Sequence, residues 1–143
     1  MPDSQPLLEI AHRPDLGILL GRWSRQPTVA ELPAAYEALA AATLQAGCGC
    51  WLQDIRRRTL NDPATTDWLL AEYFPGLARR LQQRLCVAYL VGPALHETVL
   101  ATSRFRDLAA YAHEPFAVRL FGDEGAAVAW LQAEQGRVGE ITS

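Results

Sequence analysis

Leu85-Cys86-Val87-Ala88-Tyr89-Leu90-Val91 is the stretch that decides the fold. It is apolar at nearly every position, so it lacks the alternation of a strand with one wet face. Gly92-Pro93 ends it after a strand's length. A strand buried on both faces belongs inside a parallel sheet, which requires helical crossovers on either side of it.

Working outward, the crossovers are legible. Before this strand, Asp62-Pro63 marks a helix start, a side-chain cap followed by proline in the first turn. Leu70, Phe74, Leu77 and Leu81 then share one helical face, and Pro75-Gly76 should kink or divide that helix. Cys50-Trp51-Leu52-Gln53-Asp54-Ile55 reads as a buried strand ending near Asp54. Ahead of it, Leu32, Tyr36, Leu39 and Thr43 recur at helical spacing, and Gly47 is a natural stop. Thr28 and Glu31 have capping-box spacing, but Pro33 argues for a main helix starting nearer Leu32.

The chain opens with two strand-like runs, 7–10 and 16–23, around the turn signal Arg13-Pro14-Asp15. Beyond the central strand, the stretch 94–114 is ambiguous, with room for a short helix around 103–111. Residues 116–121 read as a strand, and Asp123-Glu124 caps a last helix through Val128 and Leu131. The expectation is one α/β domain over residues 1–143, with 1–6 and 137–143 loose. Its sheet is mostly parallel, with an antiparallel N-terminal hairpin strand and about four helices.

Half of the 143 residues are hydrophobic and a fifth are charged, the balance of a globular protein. The net charge is -3 and the longest basic run is Arg56-Arg57-Arg58, which argues against a nucleic-acid binder. All thirteen basic residues are arginine. Without lysine there is no P-loop lysine, no pyridoxal-phosphate Schiff base and no kinase strand lysine. Glycine-rich dinucleotide loops and nucleophile elbows are missing too. Cys48-Gly49-Cys50 is too tightly spaced for a zinc knuckle, so we expect no metal, no cofactor and no structural disulfide. No run reaches a membrane-spanning length, and the first residues do not read as a signal peptide. The expected setting is therefore the cytoplasm, with reduced thiols.

In an open α/β sheet, ligands sit beyond the carboxyl ends of the strands. The polar residues expected there are Asp54 with Arg56, Arg57 and Arg58, then His96 with Glu97, then Asp123 with Glu124. The arginines suit an anion or a partner's carboxylates, although such a run is more often a solvated loop. His96 and Glu97 are adjacent, and neighbouring side chains point apart, which weakens them as a proton-transfer pair. Trp51, Trp68 and Trp130 read as core residues, and Trp23 as partly exposed at a strand end.

The segments 85–91 and Phe116-Ala117-Val118-Arg119-Leu120-Phe121-Gly122-Asp123-Glu124, leading into Ala127-Val128-Ala129-Trp130-Leu131, resemble the SpoIIAA-like, STAS-type family of small bacterial proteins. The resemblance covers most of the chain in element order and its last third in motif. It implies a regulatory or protein-interaction domain with no enzymatic activity, a protein partner and room for a homodimer. Antagonists in that superfamily are switched by phosphorylation of Ser or Thr after the third strand. Their Asp-Ser-Ser/Ala-Gly pattern is missing here; Thr59, Thr65 and Thr66 are the hydroxyls of the matching region, in a different context. Two alternatives stay open. One is a carrier of a small hydrophobic or anionic ligand at the sheet's carboxyl edge. The other is an enzyme of unassigned type.

Overall fold

The run 85–91 supplies the fourth strand of a five-stranded sheet, with neighbours on both sides. The computed structural model describes residues 6–58, 63–93 and 115–142. The strands are β1 (Leu8–Arg13), β2 (Ile18–Trp23), β3 (Cys50–Asp54), β4 (Leu85–Leu90) and β5 (Phe116–Phe121), ordered β1-β2-β3-β4-β5. Only the β1–β2 pair is antiparallel. In β4, Leu85, Val87 and Ala88 are fully buried, as an interior strand without polar alternation requires.

The hairpin turns tightly at Arg13-Pro14-Asp15, where the Leu16 amide reaches the Arg13 carbonyl at 3.0 Å. Gly17 follows at φ +69°, a left-handed conformation that favours glycine. This extra turn residue delays β2 to Ile18, two positions later than the apolar pattern suggests.

Helix α1 (Leu32–Ala46) links β2 to β3. Both readings of its start are realised together. Thr28 and Glu31 close a capping box around a single 3₁₀ turn, Val29–Glu31, and α1 then begins with proline in its first turn. Leu32, Tyr36, Leu39 and Thr43 are buried, and Gly47 ends the helix at φ +62°.

Between β3 and β4, α2 (Pro63–Trp68) passes through a π-turn, Leu69–Tyr73, into α3 (Phe74–Leu81). The expected division lies just ahead of Pro75. Proline has no amide to offer the preceding turn, and the widened turn absorbs that gap, with the Phe74 amide bonding back to the Leu69 carbonyl. One added residue rotates the helix face. Leu69, Phe74, Leu77 and Ala78 are buried, whereas Leu70 and Leu81 are only partly so.

Among the described residues the last element is α4 (Glu124–Thr142), capped by the Asp123 carboxylate on the Ala126 amide at 2.8 Å. Counting α2 to α3 as one path, the described residues hold three helices, not the about four expected. The helix placed around 103–111, with His96, Glu97 and His113, falls outside the described residues.

Helices α1 and α3, with the π-turn ahead of α3, cover one sheet face, packing Tyr36, Leu39, Leu69, Phe74 and Leu77 on Trp51, Val87 and Val118. Helix α4 covers the other, packing Ala127 and Leu131 on Ile18, Leu52, Ala88 and Leu90. Connections that step one way across a sheet with one handedness fall on one face. That rule brings α1 and α3 into contact and α2 alongside α1. It also denies the described strands a reversal of order, the feature that opens a crevice at a sheet edge.

Candidate functional site

The carboxyl edge of β3 is the site anticipated from sequence, and its geometry is that of a structural node. Asp54 is buried and both its oxygens are taken. Arg56 Nε and Nη2 bond Oδ1 and Oδ2 at 3.0 and 2.8 Å, and the Arg56 amide bonds Oδ1 at 3.2 Å. Arg22 Nη1 reaches Oδ2 at 3.1 Å. Burial alone would raise the Asp54 pKa, but Arg56 and Arg22 together hold it below the ordinary carboxylate value.

Asp54, Arg56 and Arg57 border a polar cleft of about 480 Å³ with Glu9 and Arg22. Arg58 does not join them. It turns inward, is 6% exposed, and lays its guanidinium 4.3 Å over the Trp23 ring. Trp23 is correspondingly buried and donates through Nε1 to Gln53 Oε1 at 3.0 Å, contrary to the partial exposure expected of it. Arg56 and Arg57 thus face the cleft, while Arg58 is buried against Trp23. The run turns at Ile55, whose carbonyl takes the Arg58 amide at 3.0 Å.

The threonine candidates separate as well. Thr66 is buried and Thr65 is half-buried on a different cavity, while Thr59 falls outside the described residues.

That second cavity is a groove of about 680 Å³ between α1 and α2. Its walls are Leu32, Pro33 and Ala40 from one helix and Ala64 and Trp68 from the other, with Tyr36 and Tyr73 at its base. The aromatic rings brace one another. Tyr36 packs edge-on to Trp68 and Tyr73 with centroids at 5.9 and 5.1 Å, and Trp68 lies 5.1 Å from Tyr73. The Tyr73 hydroxyl donates to the Tyr36 carbonyl. Burial pushes the Tyr73 phenol well above its ordinary pKa, so it stays a neutral donor.

Tyr36 differs in one respect. The residue is 2% exposed and its hydroxyl has no hydrogen-bond partner. An unpaired buried hydroxyl costs about 1–3 kcal/mol, so its presence calls for a reason. The lips of the groove are apolar. Val29 is 75% exposed and Trp68 is 38% exposed, the two large hydrophobic side chains most open to solvent among the described residues. Glu37 and Arg80 stand on the same rim. Trp68 was expected in the core; the widened turn at Leu69–Tyr73 instead puts Leu69 there.

A third cluster lies under α4. Cys50 and Cys86 are register partners on β3 and β4. Cys86 is buried, with its sulfur 3.9 Å from Glu134, which Arg84 grips at 2.7 Å. All three cysteines are free thiols. The neighbouring Cys86 thiol, together with burial, pushes the Cys50 thiol far up. Such a thiol is a poor nucleophile.

The groove has a partial signature in sequence. Tyr36, Trp68 and Tyr73 are each visible as aromatics on helical segments, but their meeting depends on the two crossovers sharing a face. No helix among the described residues is long and apolar enough to cross a membrane. No protein-family model matches the chain, and no curated protein is significantly similar to it.

Proposed function

We propose that this chain is a non-catalytic binding domain of STAS type whose working surface is the groove between α1 and α2. The observation that carries the reading is the groove itself, about 680 Å³, walled by apolar side chains with Tyr36 and Tyr73 at its base and Trp68 partly open at its lip. The volume falls in the range of small-molecule sites, which are mostly apolar with a few placed polar groups. The STAS-type assignment draws support from the antiparallel hairpin that opens an otherwise parallel sheet with its strands in sequential order. Binding is favoured over catalysis because the buried described carboxylates, Asp54 and Glu134, are already held by arginines.

A regulatory protein partner is the second reading, and one observation favours it. Val29 and Trp68 form exposed apolar lips, and tryptophan is a frequent anchor at protein interfaces. A partner's apolar side chain would enter the same groove. The test is titration of an apolar fluorescent reporter into the wild-type protein and the Ala64→Trp variant, whose larger side chain fills the groove. Saturable one-to-one binding that the substitution weakens supports the reading. Absence of saturable binding rejects it.

A further inference from the structure

The rim of the groove carries two charges of opposite sign, Glu37 on α1 and Arg80 on α3. Neither makes an ion pair with a described residue. Both are solvent-exposed and both line the groove with Tyr73. The same groove is lined by the partly exposed indole of Trp68.

This pattern selects among occupants. A simple carboxylic acid would gain from Arg80 and lose to Glu37. For a simple amine the balance reverses. An uncharged apolar molecule would leave both charges unused. A molecule with a ring and both charges engages the indole and both charges at once. Resting on the reading of the groove as a binding site, we propose that its ligand is a zwitterionic aromatic small molecule of the free aromatic amino acid class. The ring lies against Trp68 and Tyr36, the carboxylate on Arg80 and the ammonium on Glu37. Charge-assisted hydrogen bonds from planar guanidinium to carboxylate favour this orientation over its reverse.

Four probes test it by calorimetric titration: L-phenylalanine, phenylacetate, phenethylamine and benzyl alcohol. L-Phenylalanine should bind about fivefold more tightly than either singly charged probe, the upper end of what one solvent-exposed charged contact contributes. Arg80→Gln should bring L-phenylalanine to the affinity of phenethylamine, and Glu37→Gln to that of phenylacetate. Equal binding of benzyl alcohol and L-phenylalanine overturns the proposal, as does a preference that survives both substitutions. So does failure of all four probes. The apolar reporter separates these failures from failure of the groove itself: if it still binds, only the ligand class is wrong, and if it does not, the site is wrong as well.

Discussion

The phenol of Tyr73, in the π-turn after α2, donates to the main-chain carbonyl of Tyr36 in the middle of α1. One hydrogen bond thereby ties the two crossovers together at the base of the groove. It also uses the Tyr73 hydroxyl and leaves that of Tyr36 over.

Replacing Tyr36 with Phe should leave the ligand-free protein equally stable, or up to about 1 kcal/mol more stable, because a buried hydroxyl without a partner contributes desolvation cost and no bond. Denaturant unfolding measures this. A loss above about 1 kcal/mol would show that the hydroxyl has a partner within the fold.

Arg57 and Arg58 should behave oppositely despite being neighbours. Arg57→Glu changes an exposed side chain and should shift stability by no more than about 0.5 kcal/mol. Arg58→Ala removes a buried guanidinium stacked on Trp23 and should cost about 1–3 kcal/mol. Comparable thermal midpoints for the two variants would contradict the inward placement of Arg58.

The capping box gives a pH signature. Arg25, at 2.7 Å, and the Thr28 amide hold the Glu31 carboxylate at a pKa of about 2, against an ordinary value of about 4.5. A carboxylate depressed in the folded state adds stability above its unfolded pKa and loses it as pH falls through the folded one. Wild type should thus melt above Glu31→Gln at neutral pH. The gap should close between about pH 4.5 and about pH 2. A gap that stays constant down to pH 2 would rule out the ionised contact.

Val87→Asp should abolish folding, since Val87 is fully buried in the interior strand β4 and an unpaired charge there has no outlet. A soluble variant that unfolds cooperatively would be incompatible with this sheet order.

How much was legible in the sequence follows from which physical signals are local. The unbroken apolar run of 85–91 declares burial on both faces, and its interior place follows. Capping chemistry is equally local, and Thr28, Pro33, Gly47 and Asp123 all act where their residue types suggest. The π-turn is not local in this sense. Pro75 announces a break, but not that the break widens the turn before it and exchanges Leu70 for Leu69 in the core. Arg58 misled because a run of like charges reads as solvated, whereas the chain turns between Ile55 and Arg58 and sends the last guanidinium onto Trp23. Cys50 and Cys86 become neighbours only through strand register, which spacing along the chain does not encode. The groove needs still more: two crossovers on one face, then a hydrogen bond between them.

The central claim is that the groove between α1 and α2 is where this protein binds. Ala64 lines it from an exposed position on α2, so a larger side chain there can fill the space without entering the core. The measurement is the dissociation constant of the apolar fluorescent reporter for wild type and Ala64→Trp, with the thermal midpoint of each. The account predicts an unchanged midpoint and at least about tenfold weaker binding by Ala64→Trp, equivalent to about 1.4 kcal/mol. Equal affinity in a folded Ala64→Trp protein would contradict it.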